Sequence, residues 1–118
     1  MSGATGSCLC GAVTITVPRR PDYINACNCS ACTKLGWRCF YFASDEVTIS
    51  GRVDGYVRAD ITEPYLEVMR CAVCGCPSYW RPLSEPPHER LGINANLFDA
   101  AFLEGVEIRP VDGRSWPL

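Results

Sequence analysis

Nine cysteines in a chain of 118 residues constrain this sequence more than any other feature. Seven of them fall into three spaced groups: Cys8-Leu-Cys10, Cys27-Asn-Cys29-Ser-Ala-Cys32 and Cys71-Ala-Val-Cys74. Spacings of one or two residues are typical of metal ligands, because neighbouring thiolates can then turn toward one ion. An odd number of cysteines does not suit a closed disulfide framework. Metal binding is therefore the first expectation.

The composition is that of an ordinary globular protein and narrows the class of partner. Hydrophobic residues make up 47% of the chain, charged residues make up 20%, and the formal net charge is -2. A chain with this charge balance is poorly suited to phosphate contacts. No apolar run approaches the roughly 18 residues that span a bilayer, and residues 1–10 lack the regions of a signal peptide. We expect a cytoplasmic protein that binds neither nucleic acid nor membrane.

Alternation of apolar and polar residues predicts a mainly β fold, within a single domain over residues 1–118. In residues 12–17, Val13, Ile15 and Val17 would share one face of a strand. Residues 46–50 and 55–59 flank a glycine-containing turn and predict a hairpin. Further strands are predicted at residues 37–43, 65–71, 77–81 and 106–110.

Helix signals are few and short. Residues 30–36 predict one or two turns, with Ser30 as the N-terminal cap and Gly36 as the stop. Residues 99–105 predict another short helix, capped by Asp99. Ten glycines and nine prolines favour short strands and tight turns over longer helices.

Two of the cysteine groups can together supply four ligands. A C-x-C pair in extended chain points both sulfurs to one side, as Cys8 and Cys10 would. In the Cys71–Cys74 pair the following Gly75 permits the turn that brings both thiolates to one ion. These four residues predict a closed, structural zinc site, although Cys76 could replace Cys74 as the fourth ligand.

The remaining triplet, Cys27, Cys29 and Cys32, is one ligand short of a closed site. Three thiolates on Zn²⁺ leave a position for water, a substrate thiolate or a carbonyl oxygen, as in catalytic zinc sites. His88, the single histidine of the chain, is an alternative fourth ligand. Two zinc ions per chain are expected, one of them catalytic.

Other chemically active residues have both ordinary and functional interpretations. Cys39 lies in an aromatic-rich strand and is interpreted as a core residue. Four aromatic residues are candidates either for a pocket or for the core: Trp37, Tyr79, Trp80 and Trp116.

The combined motifs resemble a known family. They are GSCLCGAV (6–13), CNCSAC (27–32) with Gly36 shortly after, RCAVCGCPSYWR (70–81) and GRSWP (113–117). Together they resemble the glutathione-dependent formaldehyde-activating enzymes, a family that includes centromere protein V-like proteins. The resemblance covers nearly the whole chain and implies a β-tent fold, in which small antiparallel sheets hold zinc between them.

The resemblance also implies ligands and an activity. By motif position, Cys8, Cys10, Cys71 and Cys74 would bind a structural zinc ion. Cys27, Cys29 and Cys32 would then bind a catalytic one. The implied reaction joins glutathione and formaldehyde to give S-(hydroxymethyl)glutathione, which in reverse is a carbon–sulfur lyase reaction.

Three hypotheses on function therefore stay open. The first is a zinc-dependent enzyme that acts on a small-molecule thiol and a carbonyl compound. The second is a non-catalytic zinc module that presents a surface to a protein partner. The third, which the residues favour least, is a thiol redox or zinc-buffering protein.

Overall fold

Two β-sheets account for most of the computed structural model, which describes residues 3–83 and 90–116. The strands are β1 (Ala4–Ser7), β2 (Thr14–Val17), β3 (Tyr23–Cys27), β4 (Cys39–Ala43), β5 (Thr48–Ser50), β6 (Val53–Val57), β7 (Leu66–Cys71), β8 (Pro77–Pro82), β9 (Arg90–Asn94) and β10 (Glu107–Val111). The helices are α1 (Ser30–Leu35) and α2 (Ala100–Leu103), with 3₁₀ turns at Ser44–Glu46, Ala95–Leu97 and Gly113–Ser115. The prediction of a mainly β fold with a few short helical turns is confirmed.

The two sheets differ in size. The smaller has the strand order β1-β2-β5 and is antiparallel throughout. The larger has the order β10-β3-β4-β9-β8-β7-β6, and among its described strands only β10 and β3 pair in parallel. In the part of the chain that the structure describes, no helix has the length and apolar character needed to cross a membrane.

The main hydrophobic core lies between the two sheets. The predicted face of residues 12–17 is buried, and the exposure of Val13, Ile15 and Val17 does not exceed 1%. From β2, Ile15 and Val17 pack in one cluster with Phe40 and Phe42 of β4. Burial of apolar surface contributes about 25 cal/mol of stability for each Å². This packing therefore holds the small sheet against one face of the large sheet.

The opposite face of the large sheet carries a second set of side chains. Because side chains alternate along a strand, Cys39 and Tyr41 of β4 project away from the main core. They pack with Trp37, Val68 and Trp80, and helix α1 covers part of this cluster. The face of the large sheet that the small sheet does not cover is therefore the one on which a site can form.

The predicted hairpin over residues 46–59 is wrong. Strand β5 pairs with β2 in the small sheet, whereas β6 pairs with β7 in the large one. The pairing places Ile49 opposite Ile15 and Val53 opposite Cys71. The chain therefore crosses from one sheet to the other at Gly51, where a local turn signal cannot reveal the partner of either strand.

The other predicted strands at residues 12–17, 37–43, 65–71, 77–81 and 106–110 are present with shifted ends, while β1, β3 and β9 were not predicted. Both short helices are present. Asp99 occupies the N-cap position of α2, but its side chain makes no capping hydrogen bond.

A glycine in β9 allows an aromatic ring to lie across the strand. Gly92 is opposite Trp80 of β8, and a Cβ atom on Gly92 would stand 1.9 Å from the indole nitrogen. Gly92→Ala has to displace this ring, and we expect a loss of about 1–3 kcal/mol in the free energy of unfolding. Denaturant titration measures the loss. Gly55→Ala is the control, since its Cβ would meet only the flexible end of Glu67; equal losses would contradict the expectation.

Candidate metal centres and the adjoining cavity

Four sulfur atoms meet where loops from the two sheets come together. Cys8 and Cys10 lie between β1 and β2 of the small sheet, and Cys71 and Cys74 lie at the connection from β7 to β8 of the large sheet. All four Sγ atoms are within 4.8 Å of one another. This four-cysteine cluster therefore links parts of the chain that are 61 residues apart.

The backbone of both loops directs N–H groups toward these sulfurs. The N–H of Val13 donates to Cys8 Sγ at 3.2 Å. The N–H groups of Val73 and Cys74 donate to Cys71 Sγ at 3.3 and 3.4 Å. Hydrogen bonds of this kind favour the charged thiolate over the thiol, which is the form that binds metal.

The cluster fits a tetrahedral zinc ion. A zinc–sulfur bond length of 2.3 Å places tetrahedral ligands about 3.8 Å apart. The separations of Cys8 Sγ from Cys10 Sγ and of Cys10 Sγ from Cys71 Sγ are both 3.7 Å. Backbone N–H groups, first that of Cys76, lower the pKa of the Cys74 thiol to about 6. Four sulfurs complete the preferred coordination of zinc, so this cluster could hold an ion but leaves no position for a substrate.

One detail of this cluster differs from the sequence analysis. Cys8 and Cys10 lie in a turn rather than in extended chain, because the N–H of Gly11 donates to the Cys8 carbonyl oxygen at 3.1 Å. Gly11 has a φ of 82°, which permits this turn. Cys76 lies outside the group of four sulfurs, and its Sγ contacts the Pro77 carbonyl oxygen at 3.7 Å.

The sulfurs of Cys27, Cys29 and Cys32, here called the cysteine triplet, also lie within 4.8 Å of one another. Cys27 ends β3, Cys29 is the N-cap of α1, and Cys32 lies in the first turn of that helix. The N–H of Cys29 donates to Cys27 Sγ at 3.4 Å, and the N–H of Cys32 donates to Cys29 Sγ at 3.3 Å. The expectation that Ser30 caps the helix is therefore wrong, while Gly36 ends the helix as predicted, with a φ of 70°.

The segment after β10 folds against the triplet. The N–H of Asn28 donates to the last carbonyl oxygen of β10 at 3.0 Å. The Asn28 side chain donates to Asp112 Oδ1 and accepts from the N–H of Arg114, both at 2.9 Å. Gly113 is buried, and a Cβ atom there would stand 2.6 Å from Cys27 Sγ. The position of the triplet therefore depends on the end of the described chain.

A cavity of about 240 Å³ opens beside the triplet. All three triplet cysteines line it, and none of the four-cysteine cluster does. The other lining residues are Asn25, Ala31, Leu35, Trp37, Tyr41, Arg58, Tyr65, Leu66, Val68, Trp80, Arg90, Val111 and Trp116. The walls are thus largely aromatic and aliphatic, with a few polar groups, as in many small-molecule sites.

The triplet sulfurs differ in their tendency to ionise. Burial raises the pKa of Cys29, but hydrogen bonds from the N–H of Cys32 and the thiol of Cys27 outweigh it, so the net shift is downward. Burial raises the pKa of Cys32 to about 12. The Trp37 Nε1 atom has no hydrogen-bond partner within residues 3–83 and 90–116. A buried donor of this kind can serve a sulfur or a ligand.

The aromatic candidates of the sequence analysis have separate positions. Trp37, Trp80 and Trp116 line the cavity, whereas Tyr79 packs against the main core. Cys39 is buried, with 4% of its surface exposed, as predicted for a core residue. The alternative ligand His88 lies outside the described residues.

The cavity residues that the sequence analysis did not identify include three from distant parts of the chain. Arg58 follows β6, Tyr65 precedes β7, and Arg90 begins β9. They belong to no motif and to no shared spacing pattern. Only the pairing of the strands brings them to the triplet, so no signal in the sequence could have identified them as a group.

A known protein family matches most of the chain. The family model of the glutathione-dependent formaldehyde-activating enzymes matches residues 3–112. The chain belongs to this family. Formaldehyde activation that depends on glutathione is accordingly the type of function associated with the chain at the level of the family. Among curated proteins, none matches the chain significantly.

A solved structure supports the fold assignment. The crystal structure of a Rhodobacter sphaeroides protein is similar to this chain with a TM-score of 0.66 at 21% sequence identity. The match covers 90% of this chain and 100% of that protein. At this identity the likeness concerns the fold alone.

The contact between Gly113 and Cys27 gives a test of how the triplet is supported. Gly113→Ala would force apart Cys27 Sγ and the segment after β10. If the triplet binds metal, we expect this variant to lose that ion while the fold is kept. Metal analysis of purified protein measures this loss. Gly105→Ala is the control, because it strains a residue with a φ of 80° far from both clusters in the chain. Unchanged metal content in Gly113→Ala would contradict the expectation.

Proposed function

We propose that the protein joins a thiol to formaldehyde or a similar small carbonyl compound at the cysteine triplet, with glutathione as the first candidate thiol. The reaction forms a sulfur–carbon bond, opens the carbonyl double bond and moves the thiol proton to the carbonyl oxygen. With glutathione and formaldehyde the product is S-(hydroxymethyl)glutathione, and the reverse reaction is that of a carbon–sulfur lyase. The observation that carries the proposal is that the triplet, which offers three sulfur ligands among the described residues, lines a cavity.

The proposal includes one zinc ion at each cluster. Cys8, Cys10, Cys71 and Cys74 would hold a structural ion. Cys27, Cys29 and Cys32 would hold the second ion, and when bound this ion would favour the nucleophilic thiolate form of a substrate sulfur.

The side chains of the cavity would position the reactants and limit the access of water. Trp37 offers an indole N–H that has no partner among the described residues. Arg58 is fixed beside the triplet, because its guanidinium contacts Asp60 at 2.6 Å and Ser30 Oγ at 3.0 Å. Bringing two small reactants together in a fixed orientation supplies a large part of the rate enhancement in reactions of this kind.

Family membership and the chemistry of thiols support the same proposal. The family model is named for formaldehyde activation with glutathione. A cytoplasmic location would keep the nine thiols reduced and available to metal. Aromatic walls suit a cavity from which water is displaced when substrate binds.

Metal analysis of three cysteine variants tests the assignment of the two ions. We expect two zinc ions in the wild-type protein and one in Cys29→Ala, which should stay folded because the triplet lies within six consecutive residues. Cys74→Ala should lose the structural ion and much of its fold, since metal binding and folding are coupled in sites of this type. Cys39→Ala is the control, since Cys39 belongs to neither cluster, and it should keep both ions.

Circular dichroism, recorded with the metal analysis, separates metal loss from unfolding. If Cys29→Ala keeps two zinc ions, the triplet is not a metal site. If it unfolds outright, the triplet is structural and the enzymatic proposal fails.

The activity itself is tested by mixing zinc-loaded protein with glutathione and formaldehyde. We expect the wild-type protein and Cys39→Ala to accelerate adduct formation, followed by NMR, and Cys29→Ala to lose the acceleration. The same assay is repeated with smaller thiols. If no thiol reacts faster with the zinc-loaded protein, the non-catalytic zinc module becomes the better description.

A further inference from the structure

We propose that Arg90 binds a carboxylate of the thiol substrate, so that the cavity selects thiols that carry an acidic group. The proposal rests on the function proposed above, because it assigns the sulfur of the same substrate to the cysteine triplet. It adds the chemical class of the thiol and the residue that selects it.

Two arginines line the cavity, and one of them is already paired. Arg58 Nε and Nη2 contact the two carboxylate oxygens of Asp60 at 2.9 and 2.6 Å. A carboxylate that binds both nitrogens of a guanidinium matches its charge and fixes its plane. Arg58 is therefore held in place, and most of its attraction for a further anion is used by Asp60.

Arg90 is different. Its guanidinium carbon lies 4.1 Å from the centre of the Tyr41 ring. Neither a hydrogen bond nor an ion pair joins it to any residue of the described ranges 3–83 and 90–116. Glu46, which lines a neighbouring depression with Arg90, pairs with Arg19 at 2.6 Å. Arg90 is thus the cavity cation that lacks a matching acid within the described chain.

Stacking prepares Arg90 to bind a planar anion. When a guanidinium lies on an aromatic face, its N–H groups stay free along the edge of the plane. The Tyr41 ring beneath it is itself fixed, because its hydroxyl accepts a hydrogen bond from Asn25 Nδ2 at 2.7 Å and its ring packs edge-on against Trp80. Tyr41 and Arg90 both line the cavity. A carboxylate in the cavity could therefore accept two parallel hydrogen bonds from Arg90.

The charges of the cavity make this selection useful. Three thiolates around a divalent ion leave a net negative charge, so a second anion would be repelled if no cation faced it. Burial raises the pKa of Tyr41 to about 12, which keeps the ring that supports Arg90 neutral. With the sulfur at the triplet and the carboxylate at Arg90, an acidic thiol would be held at two points.

Binding of two matched thiols tests the proposal. The full-length protein loaded with zinc is titrated with 3-mercaptopropionate and with its neutral amide, which differ only in the carboxylate. All three tryptophans of the chain line the cavity, so intrinsic fluorescence reports occupancy, and calorimetry supplies an independent constant. Because the carboxylate would form charge-assisted hydrogen bonds with Arg90, we expect the acid to bind about tenfold more tightly than the amide.

A matched variant separates Arg90 from general charge effects. Arg90→Met should abolish the preference for the acid while zinc content and affinity for the amide stay unchanged. Arg109→Met is the control, because Arg109 also stacks on a tyrosine, at 3.8 Å from the Tyr23 ring centre, but does not line the cavity. This control should keep the preference.

The outcomes distinguish this proposal from the one on which it rests. Equal affinity for acid and amide in the wild-type protein, or a preference that survives Arg90→Met, overturns the role of Arg90 and leaves the thiol site intact. If neither thiol binds to the zinc-loaded protein, the proposed function fails and this inference fails with it.

Discussion

The convergence of four sulfurs between the two sheets is the contact on which the rest of the structure depends. Cys8 and Cys71 are almost fully buried, with 3% and 2% of their surface exposed, and they form a small core of their own with Val13. This core is small, so an ion that binds the four thiolates would add stability that apolar side chains supply elsewhere. The ion would thereby tie the smaller sheet to β7, next to the edge strand β6 of the larger sheet.

The cysteine triplet is built on a different principle. Its sulfurs come from six consecutive residues, and one of them, Cys29, is at once the cap of α1 and a candidate ligand. The walls of the adjoining cavity come from strands spread across the large sheet, including Trp80 of β8 and Arg90 of β9. The three sulfur ligands are therefore close together in the sequence. The residues that determine the shape and charge of the cavity are instead brought together by tertiary structure.

This division explains what the sequence could and could not predict. Local spacing indicated both sulfur groups, and alternation placed Val13, Ile15 and Val17 on a buried face. The hairpin at residues 46–59 failed because the partners of β5 and β6 lie in different sheets. Strand β9 was missed because Leu91 to Asn94 are buried without alternation. No sequence pattern relates Arg58, Tyr65 and Arg90 to one another. They line the same cavity only because of the order of the strands in the sheet.

The parallel pairing of β10 with β3 also sets an order of assembly. Every sulfur of the four-cysteine cluster is present once residue 74 has been synthesised. The triplet is made far earlier, yet Gly113 and Trp116, which pack around it, come at the end of the described chain. Because domains fold while synthesis proceeds from the N-terminus, the four-cysteine cluster between the sheets can form first. The cavity beside the triplet would then be completed last, after the scaffold that supports it.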